Sequence, residues 1–165
     1  MEAMKLPKIP ELVMFIGSLI VSTVVVMVLG VKFGGPLIKV EASNIHGLLS
    51  IVGIQNTLLG NIIYLPSERV AFEITWQCSG MFSIALYTVV YSVIPKLRRH
   101  FREYIFGVST IYLLNLARIF LAIYLYYTLG EGAFSLFHYT IGPLLMFTVV
   151  VLLLANAFMK SLHPN

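Results

Sequence analysis

The chain has 165 residues, 59% of them hydrophobic and 11% charged, with a formal net charge of +4 and a mean hydropathy of +0.92. An ordinary soluble domain carries about 25% charged residues, so composition excludes a water-soluble fold and predicts an all-α integral membrane protein, a single transmembrane domain over 1–165. One cysteine excludes an internal disulfide and multi-thiolate metal sites, and four scattered histidines without an HExxH motif support neither a metal nor a cofactor.

The first apolar run, 12–32, has the length of about 20 residues that a bilayer crossing needs. It is longer than a usual signal-peptide core and no small-x-small cleavage site precedes "KFGGPLIK", so it reads as a retained anchor. The connection 33–75 is apolar but broken by His46, Gly47, Gly53, Gln55, Asn56, Gly60 and Asn61. It reads as an external loop carrying interfacial or re-entrant short helices, since irregular backbone at membrane depth needs protein cover or a wet cavity. A fifth span there is the alternative. Three further spans follow, at 76–95, 104–128 and 137–159, giving a compact bundle of mainly four transmembrane helices.

Charge sets the orientation. Lys96, Arg98, Arg99 and Arg102 share one short loop, which the positive-inside rule places in the cytoplasm. With four spans, Lys5, Lys8 and Lys160 fall on that same side, and 33–75 and 129–136 fall outside. These basic residues lie beside apolar runs rather than interleaved with aromatics on an aqueous face, so nucleic acid is not a predicted partner.

Polar residues inside apolar runs carry the chemistry. Arg118 sits deep in "YLLNLARIFLAIYLYY", where insertion costs about 2.5 to 3.5 kcal/mol and demands a wet cavity or a partner. Asn115 lies three residues earlier on the same helix face. His138 opens the fourth span, and Cys78, in "TWQCSGMFS", opens the second; both ends are external in this topology. A thiol beside a histidine can be made a nucleophile, and an arginine can hold a developing oxyanion. Glu73 is the candidate acid to orient the histidine, and Ser79 a candidate for hydrogen bonding to substrate or for helix contact. The competing reading makes Asn115, Arg118 and His138 a polar clamp between helices and Cys78 a small packed hydrophobe.

Cys-Ser-Gly at one helix start (Cys78, Ser79, Gly80), Asn-x-x-Arg in the next span (Asn115, Arg118) and a later helix-opening His138 resemble, in that order, the exosortase/archaeosortase family. The resemblance covers about 70–160. It implies a multi-pass cell-membrane cysteine protease or transpeptidase, with Cys78 as nucleophile and Arg118 and His138 completing the triad. Its implied partners are secreted or surface proteins ending in a short motif, a transmembrane segment and a basic tail, with membrane lipids or a surface group as acceptors. Many members carry more spans before the cysteine, so substrate-binding helices would come here from 33–75 or from a second subunit in an oligomer. A non-enzymatic scaffold or transporter component, and a cysteine-dependent acyl or lipid transferase, are the alternative functions.

Overall fold

The computed structural model describes residues 34–94, 97 and 101–162, together with part of 16–32. The residues described between 16 and 32 are helical, but the predicted span 12–32 otherwise lies outside the described residues, as do Lys5, Lys8, Lys96, Arg98 and Arg99. Helix α1 (Gly35–Ile51) comes first, then strands β1 (Thr57–Leu59), β2 (Ile62–Leu65) and β3 (Val70–Glu73). Helices α2 (Met81–Val93), α3 (Phe101–Leu129) and α4 (Glu131–Leu136) follow, and a π-helical turn (Phe137–Ile141) joins α4 to α5 (Gly142–Leu162).

Among the described residues two helical stretches are long and apolar enough to cross a membrane, Phe101–Leu129 and Glu131–Lys160. They contain the spans predicted at 104–128 and 137–159. The span predicted at 76–95 is shorter than expected: α2 has 13 residues and begins only after Gly80. That is about 20 Å of helix against roughly 30 Å of hydrocarbon. The cause is local, because Gly80 has φ +63, and the chain before it is occupied by a turn.

The connection 33–75 also departs from expectation. It holds one 17-residue helix and an antiparallel sheet of order β1-β2-β3, not a set of short helices. Pro36 suits the first turn of α1, where its missing N–H is not needed. Gly53, at φ +81, ends the helix; its N–H bonds Ser50 and that of Ile54 bonds Leu49, the paired bonds of a Schellman stop. Leu59 pairs with Ile62 across a two-residue Gly60-Asn61 turn, with Gly60 at φ +67, the hairpin geometry that favours glycine first. The polar residues that broke the apolar run fasten this unit: His46 Nδ1 meets Asn56 Oδ1 at 2.6 Å, and Asn61 donates to the Ile74 carbonyl at 3.0 Å.

Two cores lie along α3. Toward Leu129, Ala42, Ile45 and Leu49 of α1 and Ile63 and Leu65 of β2 pack on Leu116, Ile119 and Ile123. Toward Phe101, Tyr87 and Tyr91 of α2 pack with Ile111 and with Met146, Val150 and Ala157 of α5. Gly107 leaves room there for the Tyr87 ring, which a Cβ would overlap. Lys160 pairs with Glu103 at 2.9 Å, so the end of α5 and the start of α3 share one end of the molecule. The sheet is at the other end, with Phe72 edge-on to Tyr126 at 5.1 Å.

Candidate active site

Between the two cores lies a polar layer, and the turn before α2 is its centre. The Thr75 carbonyl accepts the N–H groups of Cys78 and Ser79 at 3.0 and 3.1 Å. The Ser79 hydroxyl, fully buried, donates to the Trp76 carbonyl at 2.8 Å. Ser79 therefore braces the turn. Gly80 completes it: its positive φ disfavours a side chain, and a Cβ would come within 2.7 Å of the Asn115 side chain.

From α3, two side chains reach the same acceptor. Arg118 Nη2 donates to the Cys78 carbonyl at 2.8 Å and Asn115 Nδ2 at 3.0 Å. The sequence spacing thus delivers both residues to one atom, the backbone oxygen of the cysteine. Arg118 keeps further donors, and its buried Nε has no partner among the described residues. Gly142 lets α5 approach, since a Cβ there would sit 3.0 Å from Arg118 Cδ.

The thiol points the other way. Cys78 Sγ lies 3.8 Å from His138 Nε2 and 3.5 Å from the Thr75 hydroxyl. His138 is carried by the π-helical turn, a distortion that often marks functional positions. Pro143 has no N–H for the Tyr139 carbonyl, so the regular ladder fails at this point. The imidazole is stacked on Phe134 with centroids 4.9 Å apart and is met edge-on by Tyr139. Its orientation is therefore set by aromatic packing. Glu73 accepts from Asn61 at 3.3 Å, and among the described residues no hydrogen bond joins it to His138. Burial pushes the Cys78 thiol up, but hydrogen bonds from His138 and Thr75 outweigh it, and the thiol is lowered from 9.0 to about 7.

Cys78 and His138 form one end of an open cavity of about 720 Å³, whose other walls are β3, Tyr126 of α3 and Phe134 of α4. Arg118 and Asn115 instead line a smaller cavity of about 190 Å³ on the opposite side of the turn.

Glu41 is the residue that sequence reasoning missed. It is fully buried on α1, and among the described residues neither carboxylate oxygen has a hydrogen-bond partner. Burial raises its pKa to about 8, against the lowering influence of neighbouring Asn115 and of the Arg118 charge. The buried side-chain atoms left unpaired among the described residues all belong to Glu41, Asn115 and Arg118, and such groups concentrate where a protein does chemistry. Helical spacing was the available signal: Glu41 falls in the apolar stripe of Ile38, Ala42, Ile45 and Leu49. Among the described residues no group of three or more His, Cys, Asp or Glu side chains could hold a metal ion.

Compared with known proteins, residues 2–155 match the model of one family, described as transmembrane exosortase (Exosortase_EpsH). No curated protein and no solved structure matches the chain.

Proposed function

The chain belongs to the transmembrane exosortase family, and on that premise we propose that it is a membrane cysteine peptidase and transpeptidase acting on the C-terminal sorting signals of secreted proteins. The observation that carries this reading is the contact of Cys78 Sγ with His138 Nε2, 3.8 Å, in the wall of a cavity large enough for a peptide.

The reaction has two halves. The Cys78 thiolate attacks the scissile carbonyl, while Arg118, bonded to the Cys78 carbonyl from the smaller cavity, fixes the turn that presents the thiol. The C–N bond breaks, His138 gives its proton to the departing amine, and a thioester remains on Cys78. An amine or hydroxyl of a membrane lipid or surface group then attacks the thioester, its proton passes to His138, and the C–S bond breaks to regenerate the thiolate; water in that role gives simple hydrolysis. Asn115 and Ser79 hold the turn, and Glu73 borders the substrate cavity.

The same reading has four spans, with 12–32 and the short α2 beside the two long helical stretches. The Lys160–Glu103 end faces the cytoplasm by the positive-inside rule. The Cys78–His138 pair, toward the other end of α3, then opens to the extracytoplasmic side.

The test is co-expression with a secreted protein ending in a motif, a span and a basic tail. Mass spectrometry should find a substrate thioester on Cys78 and a released C-terminal peptide. Cys78→Ala should lose both while remaining folded, since a methyl fits where the thiol sits. Processing by Cys78→Ala at the wild-type rate would leave Asn115, Arg118 and His138 as a structural clamp and end the enzyme reading.

A further inference from the structure

We propose that the free edge of β3 is the substrate-binding strand: an extended, uncharged or basic peptide segment pairs with it and is thereby led to Cys78. This deepens the peptidase reading above and rests on it.

The hydrogen-bond phase of the sheet shows what that edge offers. The Ile74 N–H bonds the Asn61 carbonyl at 2.9 Å. Opposed residues of an antiparallel pair alternate between bonded and non-bonded. With Ile62 opposite Glu73, Ile63 opposite Phe72 and Tyr64 opposite Ala71, Phe72 is bonded to β2, while Ala71 and Glu73 turn their N–H and C=O groups away from it. β3 is an outer strand of the sheet, and among the described residues no backbone group from another segment reaches those two positions. They stand about 7 Å apart, the two-residue repeat of an extended peptide.

This edge is not an open surface. Val70 to Glu73 form one wall of the same cavity that ends at Cys78 and His138. Beyond Glu73, the turn on the Thr75 carbonyl reverses the chain, and Cys78 lines the same cavity as β3. A peptide paired with Ala71 and Glu73 therefore runs toward the nucleophile, with Tyr126 and Phe134 covering its far side. The occupant's charge follows from the lining, which includes Glu73 and Glu131 and, among the described residues, no lysine or arginine. An acidic segment or an anionic lipid headgroup would meet carboxylates without a counter-charge. An unpaired strand edge with side-chain subsites is the arrangement by which proteins take up extended peptides as an added strand.

The test uses full-length protein in nanodiscs and an acetylated five-residue peptide aldehyde of valine, threonine and alanine. The Cys78 thiol adds across the aldehyde carbonyl as a hemithioacetal, without loss of any group. Binding is read as protection of Cys78 from iodoacetamide by intact mass, which is unambiguous with one cysteine in the chain. N-methylation at every second position should weaken protection about three- to tenfold per lost hydrogen bond, and methylation of the intervening positions should leave it unchanged. Ala71→Pro removes one free-edge donor without touching the β2 ladder. It should weaken the parent peptide by a similar factor and leave the iodoacetamide rate alone unaffected. If that variant fails to fold, the methylation series on the unaltered chain decides. Protection without a two-residue phase, or none at all, overturns strand pairing. A thioester forming alongside such a result keeps the peptidase reading, and phased protection without any thioester removes that reading while keeping the binding edge.

Discussion

Toward Leu129 the core is aliphatic and sheet-covered; toward Phe101 it is built from tyrosines and long side chains of α2 and α5. The aliphatic half satisfies its backbone through strand pairing and through Asn56 and Asn61, so it can stand at a water-facing end of a bundle. In the tyrosine half, the rings of Tyr87, Tyr91 and Tyr104 lie within 5.4 to 6.1 Å of one another. Both halves are too apolar to hold a charge, and the buried ionisable side chains, Glu41 and Arg118, lie at the seam between them beside the Cys78 turn. The seam, not either core, is where the chain departs from packing rules, as functional sites do.

The sharpest way to break this comparison is to alter the seam alone. Arg118→Lys keeps a cation but loses the planar fork that reaches the Cys78 carbonyl. We expect turnover to fall by about 10², with the melting temperature of both halves little changed. Turnover within about twofold of wild type would show that the guanidinium only fills space. A comparable loss in Ile45→Ala, made in the aliphatic core, would show that the seam is not separable from that core.

Much of this seam was legible in the sequence, for a physical reason. In a chain this apolar, a polar residue within a span is costly to place and therefore conspicuous, which singled out Arg118 and Asn115. Cys78 and His138 read as openings of two spans; they do meet, but Cys78 lies in the turn before α2 and His138 in a π-helical turn that continues a helix begun at Glu131. The sheet was less legible because β1 and β2 are short and half-buried, and their apolar residues resemble a broken helix. The Gly60-Asn61 pair at two-residue spacing was the hairpin signal. Glu41 was passed over because 33–75 reads as an external connection, where a carboxylate faces water, and its burial shows only once α1 is seen to lie on α3. The position of α2 was misjudged by hydropathy, which cannot see that Thr75 to Gly80 spend their backbone on a turn.

Glu41 sharpens the comparison through stability. The folded chain holds its proton to about 8, and the unfolded chain releases it near 4.5. Between those values the folded state binds more protons, so stability falls as pH rises; the cost is absent below 4.5 and complete above 8. Arg118 and Cys78 are the charged or titrating groups that face it. Melting temperature measured from about pH 5 to 7, below the titration of Cys78, should decline with pH in the wild type and stay flatter in Glu41→Gln. A flat wild-type curve would mean that Glu41 is ionised and compensated by Arg118, making the seam an ion pair.

The smallest expected effect isolates the thiol's side of the seam. Cys78 is lowered to about 7 because the hydrogen bonds of His138 and Thr75 outweigh burial. The rate of alkylation by iodoacetamide follows the thiolate fraction, so its pH profile should have a midpoint near 7. His138→Ala removes the larger hydrogen bond and leaves burial in place, which moves the midpoint up and slows alkylation at pH 7 on the order of tenfold. Thr75→Val should move it in the same direction by less, since the hydroxyl is the lesser of the two side-chain partners. Neither change touches the aliphatic or the tyrosine core, so melting temperature serves as the internal control. A midpoint that stays near 7 in His138→Ala would show that the imidazole does not poise the thiol. The activation of Cys78 would then have to come from the Thr75 turn alone, and the catalytic pairing of the two residues would fall with it.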